Sequence, residues 1–127
     1  MPDRINLSGD FRGSIINIKS TLTNVQQSVG QIRTDDSDAR KELEGLIGQL
    51  SEALQKVPEQ SQEQAEAVAE TAKVLVDTAK AENPNKTMVQ ITGDGLKQAA
   101  QNLADVMPVV VTIASQIALT VAKLIGV

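Results

Sequence analysis

Apolar residues recur through the middle of the chain at the spacing of an α-helix. Leu43, Leu46, Ile47, Leu50, Leu54 and Val57 form one stripe, which Pro58 ends. Asp35, Asp36, Ser37 and Asp38 stand before it as capping and dipole-favoured residues, so the pattern predicts a helix over 37–57. Ala65, Val68, Ala72, Leu75 and Ala79 follow at intervals of three and four and predict a second helix over 59–81, closed by the turn Glu82-Asn83-Pro84-Asn85. Small residues on that inward face let a neighbouring helix come close, while each buries little area. Residues 37–84 are therefore expected to form an antiparallel helical hairpin joined at Pro58.

Beyond residue 85 the pattern changes. A helix is expected over 86–106, with Thr92-Gly93-Asp94-Gly95 as a weak point inside it, a turn or a fresh N-cap. Leu96, Ala99, Ala100, Leu103, Val106 and Met107 repeat helically up to Pro108, and a last helix is expected over 109–126. Between Asp105 and Lys123 there are 17 residues without a charge. A narrow polar stripe, Thr112, Ser115, Gln116, Thr120 and Lys123, crosses this segment, and Ala114, Ala118 and Ala122 form a small-residue stripe. Three roles fit such a helix. As a bilayer span it falls just short of the ~20 residues required. As a core helix it needs neighbours on most of its sides. As a self-association surface it fits best, because small residues admit close helix–helix approach.

The first 36 residues read as extended chain. Ile5, Leu7, Phe11, Ile15, Ile16, Ile18, Leu22 and Val25 lie among Asn, Ser, Thr and Gly. Ile5-Asn6-Leu7-Ser8-Gly9-Asp10-Phe11 aligns with Ile16-Asn17-Ile18-Lys19-Ser20-Thr21-Leu22 at a spacing of eleven. In strands, Ile5/Leu7 and Ile16/Ile18 would each share one face. Leu22, Val25, Val29 and Ile32 have helical spacing instead, so a short helix over 21–33, capped by Ser20 or Thr21, is the competing reading of that end. The expected fold is mainly α: one domain, a small bundle of four helices, or five if 21–33 is helical. It comprises a β-rich extended arm (1–36), an acidic helical hairpin (37–84) and apolar C-terminal helices (85–127).

Charge agrees with this division. Residues 1–36 sum to zero, 37–84 carry ten acids against five bases, and 85–127 carry three bases against two acids, giving −4 in all. The absence of His and Cys removes imidazole acid/base chemistry, thiol nucleophiles, disulfides and the usual zinc and iron–sulfur sites. A net negative chain with Phe11 as its one aromatic residue has neither the charge nor the stacking surfaces to capture nucleic acid. The carboxylates Glu42/Glu44, Glu59/Glu63/Glu66/Glu70 and Asp94/Asp105 lie on predicted helices and read as solvated decoration, Glu66 and Glu70 with Lys73. Thr92–Gly95 lacks the Lys-Ser/Thr of a P-loop and the ligand series of an EF-hand, and no Gly-x-Ser-x-Gly occurs. No enzyme, cofactor or metal site is expected. Met1–Ser20 has no apolar run of the kind a signal peptide needs, so a cytoplasmic location is expected, with membrane association as the alternative.

One segment brings a resemblance. Gly9-Asp10-Phe11-Arg12-Gly13-Ser14-Ile15-Ile16-Asn17-Ile18, followed by Val25-Gln26-Gln27, resembles the short amyloid-signalling (prion-forming) motifs of bacterial conflict-system proteins. The likeness covers residues 9–27; Arg12 and Lys19 depart from it, since an in-register stack must leave those charges on its outer face. The resemblance implies a β-arch that passes an assembly state from a larger signalling protein to a small, often membrane-directed helical effector. The first 36 residues as a whole agree with stacking in their β-formers, their zero net charge and their Asn/Gln side chains. The expected function is non-enzymatic self-assembly, as a homo-oligomer or filament, through Ile5, Leu7, Phe11, Ile16 and Ile18 and through Ala114, Gln116, Ala118 and Ala122. A membrane-active effector using the C-terminal helix is the alternative. A phage or virion structural component has the same sequence signature.

Overall fold

The computed structural model describes the backbone from Pro2 to Gly126 and the side chains from Arg12 to Gly126. Among the described residues there are five α-helices and no strand: α1 (Pro2–Val29), α2 (Ser37–Leu54), α3 (Gln62–Ala79), α4 (Lys86–Gln101) and α5 (Pro108–Ile125). The four helices expected after residue 36 are all present.

Their ends follow local chemistry. The Asp36 carboxylate accepts a hydrogen bond from the Ala39 N–H at 2.9 Å and caps α2; the Asn85 side chain caps α4 by accepting from the Met88 N–H at 3.0 Å. Pro58 is extended and leads into a 3₁₀ turn at Glu59–Ser61. Pro108 opens α5 at its first turn, and Gly126, at φ 78°, closes it in the left-handed conformation.

The first 36 residues overturn the expectation of a β-rich arm. Ile16 and Ile18 decide the matter: in a strand they share a face, whereas here Ile16 is 64% exposed and Ile18 is 1% exposed. Ile18, Leu22, Val25 and Val29 form a buried stripe at intervals of four and three, with Ile15 packed against it. The eleven-residue repeat has a helical explanation, because eleven residues complete three turns at 3.67 per turn. The short helix expected over 21–33 is the end of α1, which stops at Val29. Ile5, Leu7 and Phe11 lie outside the residues whose side chains are described. Stacking residues 9–27 as a β-arch would require Ile18, Leu22 and Val25 to leave the core.

The helices close into a ring in the order α1–α2–α5–α4–α3, with α3 also touching α5 across the middle. This corrects the expected hairpin. α2 and α3 do not pack side by side; α1 lies between them and packs on both. α1 and α3 run parallel: Gln62 Nε2 donates to Ser14 Oγ at 2.8 Å at one end, and Lys80 Nζ donates to Ser28 Oγ at 3.3 Å at the other. Gln26 ties α1 to α2, its amide donating to the Glu44 carbonyl at 3.0 Å. Arg40 holds the α1–α2 loop by donating to the carbonyls of Ile32 (2.9 Å) and Thr34 (3.0 Å).

The core fills the ring with the residues that the periodicity marked. Leu43, Leu46, Ile47, Leu50, Leu54 and Val57 are all buried, as are Ala65, Val68, Ala72, Leu75 and Ala79. Thr92–Gly95 does not break the chain: α4 runs through it, with the Thr92 hydroxyl donating back to the Met88 carbonyl at 2.8 Å.

Candidate association surface on the last helix

α5 packs on α2 along one side and on α4 along the other. Val110, Ile113, Ala114, Ile117, Ala118, Val121 and Leu124 enter the core. The small-residue stripe is thus used within the monomer. Ala114 and Ala118 are buried, and a Cβ built on Gly93 of α4 would lie 3.5 Å from that of Ala118. Ala122 is half-buried in the α4–α5 groove, an open depression of about 300 Å³ shared with Val89, Gln90, Gly93 and Lys97. The first-zone residues offered for self-association divide as well: Ile18 belongs to the core and Ile16 to the exposed side of α1.

The polar stripe separates similarly. Thr112, Gln116 and Lys123 are exposed and Ser115 is half-buried. Thr120 is buried, its hydroxyl donating to the Gln116 carbonyl at 2.8 Å.

Two residues that the sequence reading passed over complete the outer face. Val109 is 54% exposed and Leu119 is 65% exposed. Val109, Thr112, Gln116, Leu119 and Lys123 follow one another at intervals of three and four, and that spacing could have been read directly. Leu119 stands between two shallow grooves, one shared with α4 and one with Glu42 of α2. Lys123 is the one charged residue of α5. The outer faces of α2 and α3 differ, presenting Lys41, Glu42, Glu52, Glu63, Glu70 and Lys73. On α3, Lys73 pairs with Asp77 at 3.4 Å, not with the glutamates expected, and Lys80 pairs with the same carboxylate at 3.4 Å.

The grooves between the helices are open, and no group of three or more metal-ligating side chains gathers among the described residues. Asp94 is exposed beside Lys97, at 4.0 Å. What the outer face of α5 offers is contact: protruding aliphatic side chains, flanking amide and hydroxyl groups, and little charge to keep hydrated. α5 is also long and apolar enough to cross a membrane, with 44% of the span buried inside the fold. No protein-family model, curated protein or solved structure matches the chain.

Proposed function

We propose that the chain is a non-catalytic association module that pairs with a second copy of itself through the outer face of α5. One observation carries this reading: with its core face fully used, α5 still presents Val109 and Leu119 outward on a face whose only charge is Lys123. Burying Leu119 against another apolar surface recovers part of the ~1.5–3 kcal/mol that such a side chain gains on leaving water. Gln116 lies on the same face, where its amide can meet a polar group of the partner and set the register.

The test is size-exclusion chromatography with light scattering on the wild type and on Leu119→Glu/Val109→Glu. The expected result is an oligomer that the double substitution converts to monomer at unchanged helicity. A wild type that is monomeric at high micromolar concentration overturns the reading.

The length and apolar character of α5 favour a second reading, in which it inserts into or lies on a bilayer. Liposome flotation separates the two: co-flotation of the wild type supports the membrane reading, and a defined oligomer that stays in the aqueous fraction supports association.

A further inference from the structure

We propose that, in the pairing through the outer face of α5 on which this inference rests, the two copies of the helix run antiparallel about a two-fold axis at the level of Ala114. The assembly then closes as a dimer in a fixed register.

The exposed residues of α5 are Pro108, Val109, Thr112, Gln116, Leu119 and Lys123. From Val109 onward they follow one another at intervals of three and four, which is the narrow seam of a helix pair crossing at about 20°. Reversed about Ala114, the seam matches itself. Leu119 of one copy meets the partner's Val109, apolar on apolar. Gln116 meets the partner's Thr112, amide on hydroxyl. The two-fold axis makes each pairing twice.

Charge selects the direction. Lys123 is the one charged residue of α5, and Asp105 is exposed in the turn that leads into it. Each lies nine residues from Ala114, on opposite sides of it. Antiparallel packing therefore brings Lys123 to the end of the helix where the partner's Asp105 stands, and also opposes the two helix dipoles. Parallel packing in register would set Lys123 against its own copy.

Shape agrees with charge. Leu119 is 65% exposed and protrudes. Beside Val109, an open groove of about 310 Å³ lies between α2 and α5, lined by Ala53, Met107 and Ile113 among others. The two-fold axis places the partner's Leu119 at this groove, so that a knob meets a hole. At the other end, the partner's Val109 comes to the shallow depressions on either side of Leu119. A contact that uses the same patch on both copies is satisfied at two and leaves no seam free to extend a filament.

Charge exchange tests the register, read as dimer dissociation constants by sedimentation equilibrium. Lys123→Glu alone, or Asp105→Lys alone, sets like charges together twice in each dimer and weakens dimerisation about ten-fold. An equimolar mixture of the two single variants restores opposite charges at both ends and returns to wild-type affinity, as does the double variant Lys123→Glu/Asp105→Lys. Added salt narrows the difference. Both positions are exposed, so circular dichroism stays unchanged, and a variant that had lost its fold would not recover on mixing. A wild-type dimer that neither single substitution weakens overturns the antiparallel register and leaves the pairing through α5 standing. A mixture no tighter than its components, or a wild type that grows beyond two copies with concentration, overturns it equally. A wild type that stays monomeric at high micromolar concentration overturns both the register and the pairing.

Discussion

Gly45 and Gly48 lie one turn apart on α2, and replacing each with alanine should have different consequences. Both substitutions remove the backbone freedom that makes glycine unfavourable in a helix interior, a gain of about 1 kcal/mol. At Gly45 nothing lies within 4 Å of the new Cβ, so the gain is kept in full. At Gly48 the new Cβ would fall 3.0 Å from Gln26 Nε2, the atom that donates to the Glu44 carbonyl. The amide must give by a few tenths of an ångström, at the expense of a hydrogen bond with a net worth of about 1 kcal/mol. Gly48→Ala should therefore be close to neutral. In a Gln26→Ala background it should recover the full ~1 kcal/mol, giving a coupling of that size between the two positions. Urea unfolding followed by far-UV circular dichroism measures this in a chain without Trp or Tyr. Gly45→Ala should also raise the melting temperature by about 3–5 °C for a domain of this length. A Gly48→Ala variant that gains as much as Gly45→Ala, with no coupling to Gln26, would show that the α1–α2 contact does not constrain this site.

Two further substitutions probe the core. Ile18→Ala should destabilise by about 2–5 kcal/mol, and Ile16→Ala should stay within about 0.5 kcal/mol, because a helix buries only the first; comparable losses in urea unfolding would restore the strand reading of this zone. Ala118→Leu should cost about 1–3 kcal/mol by overpacking the α4–α5 contact, and an unchanged unfolding midpoint would show that α4 does not close on that position.

Most of the helical architecture after residue 36 was legible because amphipathic periodicity is a local property. Leu43 to Val57 and Ala65 to Ala79 carry their burial pattern in their spacing, and Asp36 and Pro108 mark helix starts through chemistry confined to a few residues. The first zone misled for an equally local reason. Ile-Asn-Leu and Ile-Asn-Ile look like strand alternation over three residues, and the eleven-residue repeat fits either geometry. The longer series Ile15, Ile18, Leu22, Val25 and Val29 is helical throughout, and it prevailed because α2 and α3 together offer that face a groove to fill.

The sequence by itself determined which segments are helices after residue 36, which faces α2 and α3 bury, and which kinds of chemistry the residue set leaves out. Only the tertiary structure decided which helix meets which. A stripe of leucines states that a face must leave water, since apolar burial is non-directional, but it does not name the partner. That choice rests on shape across the whole chain: α1 takes the place between α2 and α3, and Gly93 meets Ala118. The same choice turned Ala114 and Ala118 into core, and left Val109 and Leu119 on the outside of an otherwise absorbed helix.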